Sequence, residues 1–167
     1  MTTPPFNKLT DVRILTLPRM TVASAQYTGR LPENCAHKMI DDFIEQSGLA
    51  TVKPDARLFG FNSPDPEPNQ DVYGYEFWIT IPDDFEVPAS LKKKVMPGGL
   101  YAVHTITVGN FDEWHDLIRW IHANEEYDVA YRDAGMGGLL EEHLNCFDWP
   151  EDEAHQQIDL YLPIKRR

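Results

Sequence analysis

The chain has 167 residues, 42% of them hydrophobic and 11% aromatic, enough for one domain with a proper core and too many rings for a disordered segment. Its 15 Lys and Arg stand against 27 Asp and Glu, a formal charge of −12; this opposes direct nucleic-acid binding, which depends on basic side chains displacing counterions from phosphate. No apolar run approaches the ~18 residues a membrane span requires.

The opening MTTPPFNKLTD has neither the basic nor the apolar region of a signal peptide. Residues 12–28 read as extended sequence broken by Pro18. A helix is predicted over 33–47, because Ala36, Met39, Ile40, Phe43 and Ile44 recur at i, i+3, i+4, i+7 and i+8. Pro32 suits its first turn and Gly48 its end. A strand over 57–62 follows, then the loop SPDPEPNQ, whose prolines bar it from a central strand, then a strand over 72–81.

PDDFEVPASLKKKV reads as a polar connection, with Lys92, Lys93 and Lys94 in a solvated loop. A strand over 99–108 leads through Gly109 to a helix over 111–123, whose core stripe holds Phe111, Trp114, Leu117, Ile118 and Ile121. Strands over 139–144 and 158–164 complete the pass. Gly29 and Gly109 precede the two helices 80 residues apart, and Pro82 and Pro163 are 81 apart. The spacing predicts an α+β fold of duplicated β-α-β-β units, with halves near residues 12–82 and 95–164 of a single domain, 1–167.

Strand alternation assigns faces. Tyr75, Phe77, Ile79 and Ile81 share one side, expected under the helix; Glu76, Trp78 and Thr80 share the other. In the last strand Ile158, Leu160, Leu162 and Ile164 face the core, while Asp159 and Tyr161 turn away. Glu76 and Trp78 therefore face either solvent, on an exposed edge strand, or a cavity in which a carboxylate and an indole would suit a cation.

Cys35 and Cys146 are far apart and lack CxxC spacing, so two reduced thiols and a cytoplasmic location are expected. The six histidines form no metal-ligand pattern; His115 and His122 are seven apart without HExxH, and His37 sits at the edge of its helix stripe. No GxSxG occurs, and Gly135, Gly137 and Gly138 lead into a strand rather than a phosphate-binding helix. No metal or cofactor is expected.

Four segments in order resemble the GyrI-like small-molecule-binding domains, also known as AraC-type or multidrug-regulator effector-binding domains. MPGGLYAVHTITVGNF resembles the family's P-G-G-x-Y-A-V run, and DEWHDLIRWIHANEEYDVA its helix, with Trp120 near the end. GLLEEHLN is similar to its [FL]-E-x-Y-L-N segment, and SPDPEPN followed by YEFWITIP to its first-half motif. The resemblance spans residues 12–164. It implies a pseudo-twofold pair of β-α-β-β units with antiparallel sheets, helices on one face and, on the other, a groove that binds aromatic, often cationic, molecules around glutamates. The family's glutamate falls at Glu141, and its tyrosine two positions on is His143 here, a weaker and pH-sensitive stacking partner. Alternation puts Glu141 and His143 on one face, expected away from the helix, although a slip of one residue would exchange Glu141 with Glu142.

These readings lead to a small-molecule-binding protein for amphipathic, cationic aromatic compounds, with a sensing, regulatory or sequestering role. Glu76 and Glu141 would balance charge, Trp78, Tyr161, Tyr27 and Phe61 would stack, His143 would share the Glu141 face and Trp120 would cap one end or cover a sheet edge; Trp149 is a candidate rim residue. No DNA-binding domain fits beside this one, so a separate regulator would contact DNA. Two alternatives stay open: hydrolysis of strained-ring compounds with Glu76 or Glu141 as general base, and a gyrase-inhibitor-like interaction with a topoisomerase.

Overall fold

The computed structural model describes Leu9 and residues 11–167; most of the opening segment read for a leader lies outside them. Nine strands and three helices follow in order: β1 Arg13–Leu17, β2 Met20–Gly29, α1 Pro32–Ser47, α2 Leu49–Val52, β3 Leu58–Asn62, β4 Tyr73–Thr80, β5 Lys92–Met96, β6 Gly99–Thr107, α3 Glu113–His122, β7 Tyr127–Val129, β8 Leu140–His143 and β9 Gln157–Arg166. The pairing is antiparallel throughout, in the order β1-β6-β9-β8-β3-β4-β2-β5, with β7 on the far end of β9. No described helix is long and apolar enough to cross a membrane.

The helices form where periodicity places them. Ala36, Ile40 and Phe43 are the buried stripe of α1, Pro32 opens it, and Gly48 ends it in the left-handed region at φ 67°, its N–H donating to the Ile44 carbonyl. Leu117 and Ile121 bury α3. The duplication is visible in the topology. Read outward from the β3–β8 contact, one half runs β3-β4-β2-β5 and the other β8-β9-β6-β1. The two outer strands are exchanged: β1 precedes one unit and pairs with the other, and β5 does the reverse.

The outer strand β5 contains Lys92, Lys93 and Lys94, the run expected to be a solvated loop. Three lysines carry no apolar alternation, but on a sheet edge they suit a strand that must not recruit another chain. β7, three residues long, also had no separate sequence signal.

The connections force the sheet to curl. Only Pro18 and Arg19 join β1 to β2, and only Pro97 and Gly98 join β5 to β6, yet each pair lies six places apart in the strand order. A flat sheet would separate them by about 29 Å at 4.8 Å per strand, whereas such a link reaches about 11 Å. Gly98 makes the second corner possible: its φ is +75°, and a Cβ there would lie 2.4 Å from the Leu17 carbonyl oxygen.

Curling gives the sheet two unlike faces. Outside, α1 packs with Phe77, Ile79 and Ile81, and α3 packs with Ala102, Ile106, Leu160 and Ile164. Inside, Leu17 and Met96 from the two edges meet Phe59, Trp78, Tyr101 and Tyr161 in one sealed cluster. Among the described residues, that face carries this packed cluster where a groove was expected. The curl brings both halves' large rings together and fills the space with side chains.

Candidate functional site

The helices leave the middle of the sheet bare. α1 packs mainly on β2 and β4, and α3 mainly on β6, β7 and β9, so β3 and β8 lie beneath the gap between them. A cavity of about 870 Å³ occupies that gap, within the usual range for small-molecule sites. It lies on the helix side of the sheet.

Its floor is built around a missing side chain. Gly60 pairs with Phe77 on one side and Glu141 on the other, and a Cβ there would sit 2.4 Å from the Tyr75 hydroxyl. The Tyr75 ring takes that place, and its hydroxyl donates to Glu141 Oε1 at 2.8 Å. Burial raises the Glu141 pKa; hydrogen bonds from Tyr75 and Trp114 oppose this, the nearby Glu33 charge adds to it, and the net shift is upward. Burial and the Glu141 charge in turn hold the Tyr75 hydroxyl protonated well above its usual range.

The walls come from both helices. Glu33, His37 and Asp41 recur at i, i+4 and i+8 and line one side of the cavity; His37 Nδ1 is 2.9 Å from an Asp41 oxygen. The Tyr73 hydroxyl donates to Glu33, and burial with that carboxylate pushes its pKa up to about 12. Phe111 and Trp114 face them from the start of α3. His143 lies between the edge of Phe77 at 5.3 Å and a tilted Trp149 ring at 4.6 Å. Burial, reinforced by His37, lowers its pKa to about 4. At neutral pH His143 is therefore an uncharged plate, and its buried Nδ1 has no hydrogen-bond partner among the described residues.

The expected site residues separate into two groups. Glu141 and His143 line the cavity, on the helix side rather than away from it, because β8 lies under the inter-helix gap and its apolar Leu140 turns into the sealed cluster. Phe61 lines a second, adjoining cavity. Glu76 and Trp78 do not line either one. Glu76 is 4% exposed, and its Oε2 accepts from Ser24 Oγ at 2.6 Å, Trp78 Nε1 at 2.6 Å and Lys94 Nζ at 2.7 Å. Burial pushes its pKa up, but these donors outweigh burial and hold it below the usual value.

Tyr161 is likewise sealed in, donating to Glu142 Oε1 at 2.6 Å. Arg57 grips the same carboxylate through Nε and Nη2, both at 2.8 Å. Of the adjacent glutamates, Glu141 faces the inter-helix cavity, while Glu142 turns to Arg57 and Tyr161 and lines a separate cavity of about 320 Å³. Tyr27 is 41% exposed in the outer part of β2, and Trp120 packs on the α3 cluster; neither lines the cavity.

Sequence reasoning missed Tyr73, Tyr75, Phe77, Glu33, Phe111 and Trp114. Two signals pointed to the first four: three large rings on one face of β4, and an acid–His–acid row beside the apolar stripe of α1. Among the described residues no cluster of His, Cys, Asp and Glu could hold a metal ion.

An α+β scaffold that holds a half-buried carboxylate at the base of an aromatic-walled cavity describes a ligand-binding domain. The chain belongs to the Cass2 family, integron-associated effector binding proteins, whose model matches residues 13–164. Among solved structures, the C-terminal domain of EcmrR is similar at TM-score 0.65 and 14% identity, over 94% of this chain and 98% of that one. EcmrR in an EcmrR–DNA complex is similar at TM-score 0.66 and 12% identity over 94% of this chain, which spans 58% of that longer one. A hydrolase from Listeria innocua is similar at TM-score 0.66 and 10% identity, over 92% of this chain and 91% of that one. At these identities the likeness is one of fold. No curated protein matches the sequence.

Proposed function

We propose that this chain is a single small-molecule-binding domain that takes up an amphipathic, cationic aromatic compound in the cleft between α1 and α3. Its role is sensing, regulation or sequestration. The observation carrying the reading is Glu141, a carboxylate held at the base of an aromatic-walled cavity with Tyr75 and Trp114 as its donors. A cation at that point gains Coulombic attraction in a poorly solvated site and about 0.5–2 kcal/mol from each ring face it meets. Glu33 and Asp41 add negative charge at the rim.

Membership of an effector-binding family supports this reading. The test is titration with cationic dyes, followed by tryptophan fluorescence, since Trp114 and Trp149 line the cavity. Quenching that weakens at least tenfold in Glu141→Gln is expected. A broad panel that leaves the fluorescence untouched would sink the proposal.

One observation favours hydrolysis as a second reading. Glu141 has a raised pKa and lies 2.8 Å from the Tyr75 hydroxyl, an arrangement that suits a general base activating water on a reactive strained ring. Glu76, the other glutamate considered for this role, is filled with donors and sealed from both cavities. Turnover of a strained alkylating substrate, lost in Glu141→Gln, would establish the reaction; unreacted substrate would remove it.

A further inference from the structure

The sheet has a window beside Glu141. β8 is four residues long, and its pairing stops at Gly60 on β3 and Tyr161 on β9. The neighbours run on: β3 continues through Phe61 and Asn62, and β9 through Leu162 and Pro163 before β7 joins it at Ile164. Between those two ends no strand of the described residues fills the space, and a cavity of about 560 Å³ occupies it.

This second chamber differs in kind from the main cleft. Phe61, Ile118, Leu139 and Leu162 form its apolar walls, while its charged residues other than Glu141, namely Asp65 and Arg132, are exposed at the rim. At its mouth Tyr131 and Leu139 are 89% and 47% exposed. Glu141, Trp114, Phe111 and Asn62 line both chambers. The half-buried carboxylate is thus at the shared wall, with an aromatic, acidic chamber on one side and an apolar one on the other.

Resting on the reading of the cleft as a cation site, we infer that the ligand is an elongated organic cation: its charge lies at Glu141, its aromatic head in the main cleft and an apolar arm in the second chamber. A compact cation would leave the apolar chamber unused. An arm entering it exchanges water for the faces of Phe61, Ile118 and Leu162 and covers Leu139 at the mouth. The charge of Glu141 then selects where along the molecule the cation must fall, and the two chambers select what stands on either side of it.

Two probes separate the cases: benzyltrimethylammonium, which is head and charge alone, and benzyldimethyloctylammonium, which adds an eight-carbon arm, both used below micellar concentrations. Isothermal titration should show the octyl compound binding about 100-fold more tightly, the gain expected from burying a few methylenes. Leu139→Glu, and independently Tyr131→Ser, should cut that advantage to about tenfold or less; both positions are exposed, so thermal unfolding will confirm intact folding. Glu141→Gln should weaken both probes. Equal affinity for the two probes, or an octyl advantage untouched by both mouth variants, would overturn the two-chamber inference while leaving the cleft reading intact. Failure of both probes to bind the unaltered protein would overturn the two together.

Discussion

The two faces of the curled sheet each bury carboxylates against aromatic rings, yet their chemistry diverges. On the sealed face, Glu76 takes donors from Ser24, Trp78 and Lys94, and Glu142 is gripped by Arg57 and Tyr161. On the helix face, Glu141 has Tyr75 and Trp114 and then open space. The pKa shifts follow: Glu76 moves down because its donors outweigh burial, and Glu141 moves up because burial wins. An acid engaged by several fixed donors holds the fold together. One whose acceptor capacity faces a cavity is free to meet a ligand.

The contrast is sharpest in stability. Arg57→Ala leaves Glu142 buried without its counter-charge and should cost about 3–5 kcal/mol in urea unfolding. Glu141→Gln removes a charge that is already disfavoured by burial, so its unfolding midpoint should stay level or rise. Equal losses in the two variants would erase the distinction between the faces.

His143 gives the next largest effect, read through pH. Its folded pKa of about 4 lies below the unfolded 6.5, so the unfolded chain binds the proton first as pH falls. Stability is full above pH 6.5 and is lost between 6.5 and about 4, by about 3 kcal/mol once complete. His143→Phe should flatten that part of the curve. Glu141 works in the opposite sense: its raised pKa means the folded state takes up a proton first, so acidification through that pKa favours the fold while abolishing the charge a cation needs. Ligand affinity should therefore fall with pH even where the Glu141 contribution to stability improves.

Gly60→Ala tests the floor. The new Cβ would meet the Tyr75 hydroxyl at 2.4 Å, and overpacking of this kind costs about 1–3 kcal/mol. Displacing Tyr75 should also shift the Glu141 environment, read as altered affinity for a cationic dye. The smallest effect belongs to Tyr27→Ala. This ring is 41% exposed and away from the cavity, so stability should change by less than about 0.5 kcal/mol and dye affinity should stay constant. A large loss of affinity there would move the site toward β2.

Legibility in the sequence varied with how local the signal was. The stripe of α1, the alternation of β4 and β9, and the Gly48 stop were open to reading because each depends on neighbours in the chain. The edge strand β5 was hidden because Lys92, Lys93 and Lys94 pattern like solvent-facing loop, and its partner β2 is distant in sequence. The face of Glu76 was assigned correctly relative to Tyr75 and Phe77; its environment was not, since Lys94 and Ser24 reach it only through pairing across β2. Phe111 and Trp114 read as core stripe because periodicity cannot distinguish a residue packed on a sheet from one at the end of a helix that overhangs a gap.

The amino-acid sequence by itself determined the duplicated α+β plan and the buried stripe of each helix. It also fixed which side chains along a strand must point together, because helical and strand repeats are set by backbone geometry within a few residues. Only the tertiary structure decided which of those faces is hollow. Two-residue links between strands at opposite sides of the sheet force it to curl, the curl packs the inner rings into a solid cluster, and the separation of α1 from α3 leaves space above Glu141 instead. That choice depends on contacts between residues far apart in the chain, which no local pattern encodes.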